Sequence, residues 1–111
     1  MNTLSIVGVA GDYRLLRVHS VYPITVVAKM HGDFMAFCYD DMYHGYNANE
    51  TPFQAACSDI KLQAKNHFWP YENKSAHKIS IVNEIVALGM HEVEETFIEW
   101  PINFPDYLKD C

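Results

Sequence analysis

The chain has 111 residues, which is the length of one domain. Half of the residues are hydrophobic and 14% are aromatic, and this composition excludes an intrinsically disordered chain. The net charge of −6 disfavours direct binding to nucleic acid. No apolar run has the length of a transmembrane helix, and the first residues lack the basic segment of a signal peptide. We therefore expect a cytoplasmic protein without a membrane partner.

Two strands are predicted at the N-terminus. Residues 4–10 are apolar and rich in β-branched side chains, and a Gly-Asp pair follows as a turn signal. Apolar and polar side chains are interspersed over residues 13–21, and this pattern predicts a second strand. Pro23 has no N–H to donate to a sheet, so it indicates an edge, a bulge or a bend. Residues 13–31 are then either two strands or one bent strand.

The next stretch predicts a β-hairpin. Apolar and polar residues alternate from Tyr22 to His31, Gly32 begins a short turn, and residues 34–39 are apolar and aromatic. Because residues 34–39 are apolar on both faces, we expect this strand to be central. Alternatively, the helix covers one of its faces and a partner covers the other.

The main helix is predicted over residues 51–68. Thr51 is a suitable N-cap, and Gln54 completes a capping box with it. Pro70 ends the helix because a residue that precedes proline is disfavoured in the α region. Asp59 and Lys61 lie off the apolar face and should contact water. The apolar face consists of Phe53, Ala56, Cys57, Ile60, Ala64 and Phe68.

The remaining elements complete an α+β domain that spans residues 1–111. Residues 70–77 are predicted to be a linker. Residues 79–88 fit a helix ended by Gly89, but their β-branched content also fits a strand, and we favour the helix. Residues 93–100 predict a final strand. We expect an antiparallel sheet of four to five strands, with the helix at about 51–68 on one face and a possible second helix at about 79–88.

Negative charge is concentrated near the C-terminus. The last twenty residues carry a net charge of −5, whereas the other 91 residues carry −1. This charge either solubilises a solvated face or docks on a basic groove of another protein. The polar loop 40–50 contains Tyr43 and Tyr46, which either bind a partner or cover the end of the core. The C-terminal carboxylates are those of Glu92, Glu94, Glu95, Glu99, Asp106 and Asp110.

Evidence for catalytic chemistry is weak in this sequence. The six histidines lack the spacings of zinc motifs. Asp40, Asp41 and His44 are the best metal candidate, because carboxylate and imidazole together suit a divalent ion. Cys38 and Cys57 fall on predicted core faces and are interpreted as small hydrophobic residues. We predict no catalytic residue, no metal site and no cofactor.

Residues 22–68 follow a pattern of a Tyr-led strand, a Gly turn, an aromatic strand ending in Asp, a Gly-containing loop, and Thr opening a helix that soon contains Ala. This pattern resembles the HicB-like antitoxin domain, although Gln54 stands where that family has an acidic residue. No ribbon–helix–helix or helix-turn-helix pattern is found in residues 69–111, so the resemblance implies a binding role more than DNA autoregulation. The matching residues are Tyr22, Ile24, Val26, Gly32, Phe34, Phe37, Asp40, Gly45, Thr51 and Ala55.

These observations predict a non-enzymatic protein that inhibits a larger, nucleic-acid-handling protein or ribonucleoprotein by occupying its basic surface. Small, acidic proteins without motifs include phage counter-defence proteins of the anti-CRISPR class, which act in the cytoplasm of a bacterial host. The alternatives are an antitoxin or immunity protein that neutralises one toxin, and a small metal-dependent hydrolase. An exposed edge strand would also allow a homodimer. The predicted partner contacts are Glu92, Glu94, Glu95, Glu99, Tyr43, Tyr46, Asp40 and Asp41.

Overall fold

The computed structural model describes residues 1–41, 49–65 and 75–110. These residues form an α+β fold with five strands and two α-helices, in agreement with the predicted class. The C-terminal tail carries one short 3₁₀ helix. The elements in chain order are β1 (Thr3–Ala10), β2 (Tyr13–His19), β3 (Ile24–His31), β4 (Phe34–Asp41), α1 (Pro52–Lys65), α2 (Ser75–Leu88), β5 (His91–Ile98) and the 3₁₀ helix (Asp106–Lys109).

The five strands form one antiparallel sheet in the order β4-β3-β2-β1-β5. Residues 13–31 are two strands, and Pro23 lies in the connection between them. The predicted hairpin forms between β3 and β4. Its turn residue Gly32 has a φ of 63°, a left-handed conformation that residues with a Cβ rarely adopt.

β4 is an edge strand, so the expected central position is wrong. β5 returns from α2 to pair with β1 at the opposite side of the sheet, and β4 keeps a single strand neighbour among the described residues. β4 also extends to Asp41, so residues 40 and 41 of the predicted loop 40–50 belong to the strand. Both faces of β4 still contact core residues, which explains its apolar sequence.

Helix α1 begins with the predicted capping box. The amide of Thr51 donates to Oε1 of Gln54 at 3.0 Å, and the amide of Gln54 donates to Oγ1 of Thr51 at 3.1 Å. Ala56 and Ile60 are buried against the sheet, as the apolar spacing predicts. The predicted extension of this helix to residue 68 lies outside the described residues.

Helix α2 confirms the helical interpretation of residues 79–88. It begins at Ser75, so residues 75–77 are helical rather than part of a linker, while residues 70–74 lie outside the described residues. Gly89 ends the helix as predicted, with its amide donating to the carbonyl of Ile85 at 3.0 Å.

Each face of the sheet is covered by a different part of the chain. Helices α1 and α2 cover one face and form the helix-side core, which includes Leu15, Val27, Ile60 and Ile85. On the opposite face, Phe104 and Leu108 from the C-terminal tail pack against the strands, and we call this second cluster of buried residues the tail-side core. No helix in residues 1–41, 49–65 and 75–110 has the length and apolar character needed to cross a membrane.

The two helices cross the strands in opposite directions. Phe53 near the start of α1 lies on Gly8 of β1, where an added Cβ would be 2.8 Å from the phenyl ring. Near the other end of α1, Gln63 donates to Asp41 of β4. Helix α2 then returns from the β4 side towards β1, where Leu88 approaches Gly11. The start of β5 therefore lies beside the N-terminus of α1.

Candidate functional site: an acidic sheet edge

The four predicted glutamate contacts lie along one edge of the sheet. We define the acidic edge as the exposed side chains of β5 together with Glu99, which follows it. Phe97 is 59% exposed among these carboxylates, and no described strand pairs with the outer side of β5. The exposed residues of this surface include Glu92, Glu94, Glu95, Phe97 and Glu99.

A bulge interrupts the pairing of β5 with β1. Ile6 pairs with Thr96 and Gly8 pairs with Glu92, so residues 93–95 of β5 stand opposite Val7 alone. Bulges and charged side chains both hinder the addition of a further strand to a sheet edge. The acidic edge therefore presents side chains to a partner more readily than a regular backbone ladder.

Glu95 is held in place by residues of two neighbouring strands. The hydroxyl of Ser5 donates to Oε2 of Glu95 at 2.7 Å, and Nε2 of His19 lies 3.0 Å from the same oxygen. The His19 ring also packs against Phe97, with 5.2 Å between the ring centroids. Ser5 and His19 thus orient both the carboxylate and the phenyl ring.

The Ser5, His19 and Glu95 cluster differs from a catalytic triad. In a triad, the carboxylate and the hydroxyl contact opposite nitrogens of the imidazole. Here both groups contact Nε2 of His19, and the Ser5 hydroxyl lies 2.8 Å from it while donating to Glu95. Because Ser5 is also fully buried, the cluster positions Glu95 and does not present a nucleophile.

A buried polar row lies beneath α1, beside this cluster. Nη1 of Arg17 is 2.9 Å from Oδ2 of Asp59 and 2.6 Å from Oγ1 of Thr25, and Thr25 donates to the same carboxylate. Burial lowers the pKa of Arg17, and the charge of Asp59 counteracts this effect. Asp59 was expected to contact water, and this expectation is wrong because the sheet beneath it supplies a buried arginine.

The predicted metal pair is separated by the sheet. Oδ1 of Asp40 accepts a hydrogen bond from Tyr107 of the tail at 2.7 Å, whereas Asp41 accepts one from Gln63 of α1 on the opposite face. The two carboxylates therefore cannot share one metal ion. Across the described part of the chain, no three His, Cys, Asp or Glu side chains are arranged to hold a metal.

The remaining predicted contacts differ in their placement. Asp41 is 2% exposed and is thus removed from any contact surface, because α1 packs over it. Asp40 is half-buried beneath the tail. Tyr43, His44 and Tyr46 lie outside the described residues, and their roles stay predictions.

An open groove of about 600 Å³ adjoins the start of β5. Phe53, Cys57, Val86 and Met90 contribute apolar walls. Burial raises the pKa of the Cys57 thiol, and the charge of Lys61 only partly offsets this effect, so the thiol is a weak nucleophile. The groove therefore offers apolar contact area beside the acidic edge, without an activated group.

No family model, curated protein or solved structure matches this chain. The site is therefore defined by the residues of the chain itself. Sequence reasoning missed Ser5 and His19, because the strand register alone brings them to Glu95. It also missed Phe97, although a lone aromatic residue among glutamates is a signal that the sequence carries.

Proposed function

We propose that this protein is a non-enzymatic binding protein whose acidic edge occupies a basic surface on a larger protein or ribonucleoprotein. The observation that supports this most is the exposed phenyl ring of Phe97 within a set of carboxylates. Binding energy at interfaces is commonly concentrated in a central aromatic side chain surrounded by polar groups. The carboxylates add electrostatic steering towards a cationic partner.

The ordering of the acidic edge supports the same proposal. Ser5 and His19 already hold Glu95 and Phe97 in the unbound chain. Side chains that are fixed before association lose less conformational entropy on binding. The edge is thus better prepared for a partner than a set of freely rotating surface glutamates.

The proposed partner handles nucleic acid, because such proteins carry extended basic grooves. An acidic edge seated in such a groove would compete with the phosphate backbone and inhibit the partner. Phage counter-defence proteins of the anti-CRISPR class, acting in the cytoplasm of a bacterial host, are one setting for this activity. A captured toxin would instead identify an antitoxin or immunity protein, which is the second candidate.

The test is affinity capture from bacterial lysate with four immobilised forms of the chain. The first two are the wild type and a variant in which Glu92, Glu94, Glu95 and Glu99 are changed to Gln. The third is Phe97→Ala. The fourth form is a matched control that neutralises the same number of exposed carboxylates elsewhere on the surface. Its substitutions are Asp12→Asn, Asp33→Asn, Asp106→Asn and Asp110→Asn.

We expect the wild type and the control to retain the same basic protein, and salt to release it. The variant lacking the four glutamates and Phe97→Ala should both lose it. The captured protein, once purified, should release bound nucleic acid when the wild-type chain is added. Equal capture by all four forms, or displacement of no nucleic acid, would contradict the proposal.

A further inference from the structure

The two edges of the sheet differ in chemistry. β5 carries several carboxylates, which oppose further strand pairing, whereas a bulge is present in both edge strands, at residues 93–95 of β5 and at Cys38 of β4. At the opposite edge, residues 34–39 of β4 contain no charged side chain, and Phe34 is 56% exposed. No described strand pairs with the outer side of β4. We call residues 34–39 the uncharged edge.

We propose that the uncharged edge pairs with the uncharged edge of a second copy of this chain. The two β4 strands would run antiparallel about a two-fold axis perpendicular to the sheet and would join two five-stranded sheets into one of ten strands. Long, uncharged edge strands favour pairing with another strand, and a two-fold axis allows the same surface to serve both copies.

The distribution of charge allows such a dimer despite the net charge of −6. Nine strand spacings would separate the two β5 strands in the joined sheet, which corresponds to about 43 Å. This distance is at least four times the Debye length of roughly 8–10 Å near physiological ionic strength. The acidic edges of the two copies would lie at the far ends of the joined sheet, where their repulsion is screened.

The facing of the side chains is compatible with a register centred on Ala36. Ala36 pairs with Lys29, which lies over the ring of Tyr13 in the helix-side core. Met35 and Phe37 pack on the tail-side core. Directly opposed residues share a face of the sheet. A two-fold axis through Ala36 therefore pairs helix-side residues with helix-side residues, and tail-side residues with tail-side residues.

This register has favourable cross-strand neighbours. Ala36 would face its own copy, Met35 would face Phe37, and Phe34 would face Cys38. The bulge at Cys38 ends the regular alternation of β4, so the pairing would stop at Cys38, whereas an axis through Phe37 would bring Asp33 opposite Asp41 of the other copy. Centring on Ala36 therefore avoids opposed carboxylates, which destabilise strand pairs.

A second copy is a better occupant than an unrelated strand because the uncharged edge complements itself in this register. The pairing uses about five residues from each copy, so its contact area is below that of a standard interface. We therefore expect a weak dimer that dissociates on dilution.

Analytical ultracentrifugation of the purified chain over roughly a hundredfold range of concentration tests the dimer. The wild type should shift from monomer to dimer as concentration rises. Phe34→Lys should remain monomeric because it places a charge at the edge. Ala36→Lys should also remain monomeric because it opposes two ammonium groups at the axis. Phe97→Lys, at a comparably exposed phenylalanine of the acidic edge, is the control and should dimerise like the wild type.

Circular dichroism verifies that each variant is folded. If Ala36→Lys does not fold, Phe34→Lys alone decides the test. A wild type that stays monomeric throughout overturns the proposal. Dimerisation of Phe34→Lys at wild-type concentrations, or loss of the dimer in Phe97→Lys, also overturns it. The outcome is independent of the proposed partner binding, because the variant with four neutralised glutamates should still dimerise.

Discussion

Arg17 on β2 and Asp59 on α1 form a buried ion pair with 2.9 Å between Nη1 and Oδ2. Their side chains are 7% and 5% exposed, respectively. Removing two charges from water is costly, and Thr25 offsets part of this cost by bonding to both groups. Since the pair links a helix to a strand, we infer that it specifies where α1 docks on the sheet.

Asp59→Asn should strongly destabilise the protein. The substitution keeps the size of the side chain but leaves the guanidinium of Arg17 buried with only the weaker attraction of Asp41 and Glu50. Breaking a buried ion pair in this way costs about 3–5 kcal/mol in the free energy of unfolding. Denaturation with urea, followed by circular dichroism, measures the change.

Two further variants make the measurement of the ion pair specific. Lys61→Ala changes an exposed charge on the same helix and should alter stability by less than about 0.5 kcal/mol. The double variant Arg17→Met with Asp59→Leu removes both charges and should be more stable than Asp59→Asn. If Asp59→Asn is as stable as Lys61→Ala, the pair does not hold α1 on the sheet.

The local elements could be predicted because their signals lie within a few residues. The capping box of Thr51 and Gln54, the turn at Gly32 and the helix end at Gly89 each depend on near neighbours. The burial of Asp59 could not be predicted, because its partner is 42 residues earlier. Helical spacing alone places Asp59 beside the apolar face, and the sheet beneath decides its environment.

The site was predictable in composition but not in construction. The exposed glutamates follow from the charge count. The supports of Glu95 do not, since Ser5 is 90 residues away and reaches it only through strand pairing. The edge position of β4 likewise depends on where β5 joins the sheet. No local pattern in residues 34–39 indicates that position.

Tyr13 should make the stability of the fold sensitive to alkaline pH. Burial, followed by its hydrogen bond to Glu84, raises the pKa of Tyr13 from 10.0 to about 12. The folded state therefore holds this proton more tightly than the unfolded state. The resulting stabilisation is fully present below pH 10 and is lost as pH rises from 10 towards 12.

Comparison of the wild type with Tyr13→Phe tests this prediction. The difference between their tyrosinate absorbance titrations isolates Tyr13, and denaturation at several pH values gives the stability. Tyr13→Phe should remove this part of the alkaline loss. Glu84→Gln should reduce the pKa shift without abolishing it, because burial contributes most. A Tyr13 that titrates near pH 10 would contradict the argument.

Gly8 and Phe53 should be energetically coupled. A Cβ at position 8 would lie 2.8 Å from two ring carbons of Phe53 and 3.0 Å from the backbone oxygen of His91, so Gly8→Ala forces either α1 or the ring to move and also crowds β5. Overpacking of this kind costs about 1–3 kcal/mol. In a Phe53→Leu background, the same substitution should cost less, because the smaller side chain can yield.

A double-mutant cycle measures this coupling as the departure from additivity. Both single variants and the double variant are compared with the wild type by urea denaturation. Additive effects would show that α1 does not rest on β1 through this contact. A double variant that is destabilised by less than the sum of the two single variants would support the placement of α1 beside the acidic edge.

Ser5→Ala should weaken partner binding without changing the net charge. The substitution removes a fully buried hydroxyl that orients Glu95, so the carboxylate must be ordered during association. Loss of one such hydrogen bond corresponds to about 1 kcal/mol, or roughly fivefold in affinity. Surface plasmon resonance with the captured partner measures this effect, and it should be absent in a Glu95→Ala background, which lacks the acceptor for the Ser5 hydroxyl.

Thr96→Ala is the matched control for Ser5→Ala. It also removes one hydroxyl, here within the acidic edge itself, but that hydroxyl is exposed and bonds to the carbonyl of Glu94 rather than to a carboxylate. Its affinity for the partner should stay within twofold of the wild type, since no ordered carboxylate is released. Equal losses in the two variants would mean that the edge responds to any local change. The positioning of Glu95 by Ser5 would then have no special part in binding.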